Sequence, residues 1–362
     1  MVDVPDPLPI PFGFQAPLRA LLRGEPAAWP SGIATDAVTE SIEQHGIGPL
    51  VYPRLSDDSW PIRTALRDVA IRAAAAESRR LDDLRALLAV LAERGIRVVI
   101  IKGTALAYDL YPAPELRPRG DTDLLIAESD LDALRALMND LGYATQLTSG
   151  DSLAVRQQSF SRGGHVYDVH WDVCNSPVLR EALPAAEVIR RAIAVPRIAA
   201  NALAPSHVDA LLLACIHRVV HHHDNERLIW LYDIHLLLES MSADEHAQFW
   251  RMAAERRVLT ICERSIDLAD AWFAAAPHDR TVKEFRDEPS AAFLDQRRSR
   301  AAVLRRELNS LGWRERFRRL RELALPPADF MRQSFPSAPT IALPALYVWR
   351  GARGMLRLLR RV

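Results

Sequence analysis

Three aspartates have the type and spacing to hold divalent metal: Asp121 and Asp123 in Gly120-Asp121-Thr122-Asp123, and Asp168 in Val166-Tyr167-Asp168-Val169-His170-Trp171. Residues i and i+2 of a strand share a face. DTDLLIA at 121–127, read as a strand, therefore sets two carboxylates about 7 Å apart on one side, with the apolar run 124–126 entering a core. Carboxylates this close repel each other and need a cation. Magnesium suits them, because it takes a few carboxylates together with water and phosphate oxygens; Mn²⁺ is the alternative ion. HVYDVHWDV at 165–173 alternates polar and apolar residues and reads as another strand, with Asp168 and His170 on one face. If the two strands are neighbours, three carboxylates can hold two metal ions about 3.5–4 Å apart. A DxD pair alone is more often a solvated turn, so the reading depends on the combination.

The other part of that combination is Lys102-Gly103-Thr104, which follows the β-branched run RVVII at 97–101. Glycine where a strand meets a helix lets backbone N–H groups approach phosphate. Lys102 would add a charge and Thr104 a hydroxyl. Lysine occurs only at Lys102 and Lys283, against 46 basic residues in all. A lysine in such a chain marks a place where the wide, planar arginine fork is unsuited. Arg117, Arg119 and Gly120, just before the carboxylates, are further phosphate candidates. The plainer alternatives are a surface position for Lys102 and structural ion pairs for the two arginines.

Other groups are candidates for the same cleft: His170, the cluster His217, His221, His222 and His223, and Asp224, Arg227 and Asp233. His217 and His221 are one helical turn apart and could share a metal, although no acidic or cysteine partner has convincing spacing. A polar helix end and ordinary ion pairing are the plainer readings.

These residues need elements to position them. Residues 1–94 begin with a proline-rich tail and become helical, ending in a long amphipathic helix over 66–94 that Gly95 closes. Residues 95–175 read as strand 97–101, a helix from about 104, strand 121–127, a helix from Ser129 or Asp130 to Gly142, and strands 143–149 and 165–173. That order makes a small α/β unit. Residues 176–362 are helical again, with helices expected at 206–223, 227–240, 243–256, 258–275 and about 345–361. Ten arginines lie between Arg297 and Arg321. That run could meet RNA phosphates, although its glutamates favour a solvated helix face. The last helix, with Arg350, Arg353, Arg357 and Arg360, fits a membrane surface, a partner, or docking on the body.

Composition narrows the function classes. The chain has 362 residues, 49% hydrophobic and 25% charged, with Lys+Arg and Asp+Glu both 46. Zero net charge gives no global field toward nucleic acid or membrane. Three widely spaced cysteines with no CxxC pair argue against disulfides and zinc. The proline-broken N-terminus does not read as a signal peptide, and no apolar run reaches transmembrane length. A reducing cytoplasm is the expected compartment.

At IKGTALAYDLYP, LRPRGDTDLLI, LGY and YDVHWDV the sequence resembles the uncharacterised bacterial nucleotidyltransferase family of the polymerase-β superfamily. The resemblance extends to QHGIGPLVYPRL at 44–55 and HRVVHHHDNERLIWLYDIHLLL at 217–238. It implies an α+β fold, with a small mixed-sheet nucleotidyltransferase core at 95–175 between N- and C-terminal helical regions. It also implies two-metal transfer of a nucleoside monophosphate from an NTP, such as ATP, with Asp121, Asp123 and Asp168 as metal ligands. The superfamily's glycine-serine turn is here Gly103-Thr104, with Lys102 before it and a longer gap to the carboxylates. The acceptor stays open: a small molecule, a peptide, a tRNA or a protein. The alternatives are an inactive nucleotide- or partner-binding scaffold and a tRNA-modifying toxin.

Overall fold

Gly95, in the left-handed conformation at φ 70°, stops a 31-residue helix and releases the chain into the first strand of a sheet. The computed structural model describes residues 6–55, 59–146, 156–274, 276, 288–294, 304–305, 308–309, 311–326, 328, 331–332, 335 and 339–359. Before the sheet come α1 (Phe12–Arg23), α2 (Thr35–Gln44), α3 (Gly48–Val51) and α4 (Arg63–Glu93). The central part runs β1 (Val98–Ile101), α5 (Lys102–Asp109), β2 (Thr122–Ile126), α6 (Leu131–Asp140), β3 (Ala144–Gln146), β4 (Gln157–Arg162) and β5 (His165–His170). Then follow α7 (Ala185–Arg191), the small hairpin β6 (Ile193–Ala194) and β7 (Leu203–Ala204), and α8 (His207–Ile216), which continues as a π-helical turn, His217–His221. Helices α9 (Leu228–Ser240), α10 (Ala243–Glu255) and α11 (Leu259–Phe273) complete the main body. Beyond them lie α12 (Trp313–Ala324) and α13 (Leu343–Leu359).

The sheet is mixed, in the order β1-β2-β5-β4-β3, as the α+β expectation requires. Among the described residues, only the β2/β5 pair is parallel. One face carries Val98, Ile100, Leu124, Ile126 and Val169, which pack against Leu88 of α4 and Leu134 and Met138 of α6. The other face carries Val99, Ile101 and Leu125 into a second core, built from α1 to α4 together with α8 to α11. Asp123 pairs across from Ile101 on one side and Asp168 on the other, so the acids lie on the face these helices cover.

The strand β4 corrects the sequence reading, which left 157–162 out of the sheet. QQSFSR is mostly polar and carries no clear hydrophobic alternation. The missed signal is Gly163-Gly164, at φ 57° and 85° between Arg162 and His165, which are paired. Two glycines with positive φ make the tight turn a hairpin favours. Of the strand expected at 143–149, residues 144–146 are present and 147–149 lie outside the described residues. Much of the arginine run at 297–310 also lies outside them, as do the side chain of Arg357 and all of Arg360. No residue of α12 is buried. The three cysteines are free and buried. Among the described residues, no helix is long and apolar enough to cross a membrane.

His45, at the end of α2, joins the N-terminal segment to the start of α9. Its Nδ1 accepts the Leu228 N–H at 3.2 Å, so its Nε2, 3.1 Å from the Leu8 carbonyl, must donate. Both nitrogens are occupied by a neutral ring. Burial pushes the His45 pKa down to about 4, and Arg227 adds to the effect against the Leu8 bond. The unfolded chain takes up a proton near pH 6.5 that the folded ring refuses until about pH 4. Stability from His45 is thus complete above pH 6.5 and is lost as pH falls toward 4. Urea unfolding should show His45→Asn destabilised at pH 7, with the gap from the parent about 2 kcal/mol smaller at pH 5. An equal gap at both pH values would contradict the neutral-ring assignment.

Candidate active site

The parallel register sets Asp123 directly beside Asp168. Ligand atoms of Asp123, Asp168 and His170 lie within 4.8 Å of one another. Asp123 Oδ1 accepts Lys102 Nζ at 2.7 Å and lies 2.9 Å from His170 Nε2. Burial alone would raise the Asp123 carboxyl, but the Lys102 charge and the His170 contact hold it well below the usual carboxylate range. His170 is pushed down, first by burial and then by Lys102. Asp168 accepts a hydrogen bond from Ser159 Oγ of β4, a site residue that the sequence reading missed with its strand. Asp121 lies just before β2, facing the same cavity. Its pKa is pushed up to about 6 by desolvation and by the negative charges of Asp123 and Asp168, against Lys102 and Arg117.

The chemistry of the donor set tests the fit of a divalent cation. One lysine neutralises Asp123, yet the three acids together remain short of positive charge. An oxygen-lined cluster of this kind matches what Mg²⁺ or Mn²⁺ takes. His170 joins Asp123 and Asp168 in the tightest group, and Asp121 lines the same cavity.

Lys102 begins α5 with a left-handed backbone, φ 57°. Such a conformation in a non-glycine residue is unfavourable and often marks functional sites. It sends the slim ammonium between Asp123 and His170, 3.4 Å from the ring Nε2. Gly103 is needed for close approach, since a Cβ there would stand 3.1 Å from the Arg117 guanidinium.

The expected phosphate ligands divide sharply. Arg117 is buried and grips both oxygens of Asp233, Nε at 2.9 and 3.1 Å and Nη2 at 2.8 Å, while Tyr111 donates to the same carboxylate. Arg119 donates to Glu77 of α4 at 2.6 Å and to the Thr104 hydroxyl at 2.8 Å. Thr104 is itself buried and bonded to Thr122. The plainer reading, a structural ion pair, is the arrangement present for both arginines, and Thr104 bonds within the protein. Asp233 is used by Arg117, and Asp224 by Arg218 and Arg264. Lys102, Gly103, Arg117, Arg119 and Gly120 all line the cavity, and Thr104 is not among its lining residues.

His217, His221 and His222 line the same cavity of about 760 Å³. They form a chain whose protons can be assigned. The Asn175 N–H must donate to His221 Nε2, at 3.3 Å. His221 Nδ1–H then donates to His217 Nδ1 at 3.1 Å, and His217 Nε2–H to His222 Nε2 at 3.0 Å. All three rings are neutral; burial first, then Lys102, pushes their pKa values down, to about 3 for His221 and about 4 for His222. The described residues show no metal-binding group formed by these histidines.

Residues 31–274 match the profile of a family described as "Uncharacterised nucleotidyltransferase". No curated protein matches the sequence. Among solved structures, the chain is similar to the antibiotic-resistance factor ANT(2'')-Ia, at 18% identity and a TM-score of 0.37, over 51% of this chain and 96% of that one. At that score no functional conclusion attaches to the likeness.

Two variants check the site's electrostatics. Arg117→Ala leaves the Asp233 carboxylate buried and unpaired, with an expected loss of roughly 3–5 kcal/mol in urea unfolding. Arg117→Lys should rescue it poorly, because lysine cannot reproduce the fork. A loss under about 1 kcal/mol would return Arg117 to the candidate phosphate ligands. Asp121→Asn removes one of three crowded charges. It should raise the metal-free melting temperature and shrink the further rise that Mg²⁺ produces. A lower metal-free melting temperature would show that the three acids are already compensated.

Proposed function

The chain belongs to the uncharacterised nucleotidyltransferase family, and from that premise we propose that it transfers a nucleoside monophosphate from an NTP to an acceptor, with Mg²⁺ held by Asp121, Asp123 and Asp168. The observation that carries this reading is the side-by-side placement of Asp123 and Asp168 on parallel neighbouring strands, with Asp121 close enough to feel both charges. His170 is a further candidate in the same cluster. Bound there, two divalent ions would screen the triphosphate and the leaving pyrophosphate and favour ionisation of the acceptor hydroxyl.

The protein's own groups position the reaction. Ser159 holds one Asp168 oxygen and so restrains the rotation of a carboxylate that lines the cavity. Asp168 is the group best placed to receive the acceptor's proton, since Asp123 is tied to Lys102 and His170. Lys102 and Gly103, at the first turn of α5, are placed to meet phosphate oxygens. We read 95–175 as the catalytic unit and the helical regions 1–94 and 176–362 as its walls. The cavity is large enough to admit a nucleotide and part of an acceptor together. The acceptor classes stay as the sequence leaves them, and RNA belongs among them.

One observation favours the non-catalytic scaffold: Lys102 already occupies a cation's position on Asp123. The raised Asp121 weighs against it, because a single ammonium does not balance three acids. The test is pyrophosphate release with Mg²⁺ and each NTP in turn, supplied with cell extract as the acceptor source. Asp168→Asn should lower the rate about a thousandfold. Its melting temperature without metal should change little, because the amide can still accept from Ser159. Wild-type turnover in Asp168→Asn, or no release by the parent with any NTP, would end the proposal.

A further inference from the structure

Arg227 stands apart from the other arginines around the cleft. Arg117, Arg119 and Arg218 each close onto a buried carboxylate, respectively Asp233, Glu77 and Asp224. Arg227 lines the same cavity, half-buried, and no carboxylate among the described residues pairs with it. Its Nε is shut away from water with no hydrogen-bond partner. A guanidinium N–H in that condition is unfavourable and rare in folded proteins, and it calls for a missing acceptor. The fork is not loose. Its central carbon lies 5.4 Å from the centre of the Trp230 ring, a cation–π contact that orients it.

Its location narrows the acceptor. The Arg117 charge reaches Arg227 and, with burial, pushes its pKa down. Arg117 in turn lies against Gly103, at the first turn of α5. Arg227 therefore lies within reach of the Arg117 charge, on the part of the cavity wall beside Gly46, where a Cβ would stand 3.6 Å from its Nη2. Arg117 is neutralised by Asp233 and Lys102 by Asp123, so among the described arginines of the cavity it is Arg227 whose charge stays available to an anion. The planar fork of arginine matches the oxygens of a phosphoryl group in a bidentate manner.

We propose that Arg227 anchors the oligophosphate of the nucleoside triphosphate, a role left open by Arg117 and Arg119, whose charges are each closed onto a carboxylate. The assignment rests on the transferase reading for the nucleotide, but the anion site can be tested without turnover. The full-length protein is titrated calorimetrically, in Mg²⁺, with each NTP and with inorganic tripolyphosphate. Arg227→Gln should weaken both kinds of ligand roughly tenfold to a hundredfold, the loss expected for a charge-assisted hydrogen bond. Arg227→Lys should recover part of that loss. Melting temperatures of both variants should stay close to the parent's, because no buried acid loses its partner.

Equal tripolyphosphate affinity in the parent and Arg227→Gln overturns the proposal, as does no tripolyphosphate binding by the parent. If Arg227→Gln binds tripolyphosphate normally yet fails only in transfer to acceptors from extract, the anion belongs to the acceptor and the proposal is again overturned. Parent protein that binds NTP and tripolyphosphate through Arg227 without ever releasing pyrophosphate would instead defeat the transferase reading and leave the anchor intact.

Discussion

Asp123 and Asp168 are held side by side by a parallel strand pair, and their mutual repulsion, with Asp121 close by, sets the conditions for everything around them. The pair exists because the connection from β2 to β5 is long. Helix α6 and strands β3 and β4 intervene, which lets β5 return in the same direction as β2. A slip of one residue would turn Asp168 and His170 to the opposite face, against the core of α4 and α6. The hydrophobic alternation of β5 prevents it, since Tyr167 and Val169 are buried in that core. Packing on one side of the sheet thus fixes where charge appears on the other.

The remaining charges serve the walls of the cleft. Arg117 with Asp233 and Tyr111 ties the segment before β2 to α9, across 116 residues of sequence. Arg119 with Glu77 and Tyr108 ties it to α4. The same short segment is thereby fixed to both helical regions just before it delivers Asp121 and Asp123. Buried pairs of this kind add little net stability but are costly to break, so they hold a geometry more than they strengthen the fold. In a carboxylate cluster that positional constraint matters, because small displacements change the repulsion steeply.

Much of this was legible in the sequence wherever side-chain alternation or a stop signal carried it. VVII, TDLLI and VYDVH declared their strands, Gly95 and Gly142 closed their helices, and DTD and YDVHW marked the acids. The strand β4 was not legible by hydrophobicity, because two residues on one of its faces, Gln157 and Ser159, line the cleft and are polar for that reason. Function erased the pattern that would have revealed the element, and only Gly163-Gly164 remained as a signal. Arg117 and Arg119 show the opposite difficulty. Their charge is plain in the sequence, but their partners lie 116 and 42 residues away, and a sequence displays a charge without its neutralising group.

The histidines show why net charge is a poor guide to this cleft. Four histidines within seven residues could have made a cationic patch, yet His217, His221 and His222 are joined so that each nitrogen between them either donates or accepts. The π-helical turn makes this possible. It widens the helix by one residue, and the backbone N–H of Asp224 reaches back to the Val219 carbonyl. The rings at 217, 221 and 222 then converge in place of spreading around the axis. Because the Asn175 amide fixes the first proton, the whole chain is set, and an added proton would have to break one of its bonds. The wall that the histidines form is therefore polar but uncharged, so the strong fields in the cavity come from fixed groups, among them the three aspartates, Lys102, Arg227 and the paired Arg117 and Asp233. In a cleft of that kind, an anionic ligand and its counter-cations interact with those fixed groups undiluted by a mobile cloud of protonated imidazoles.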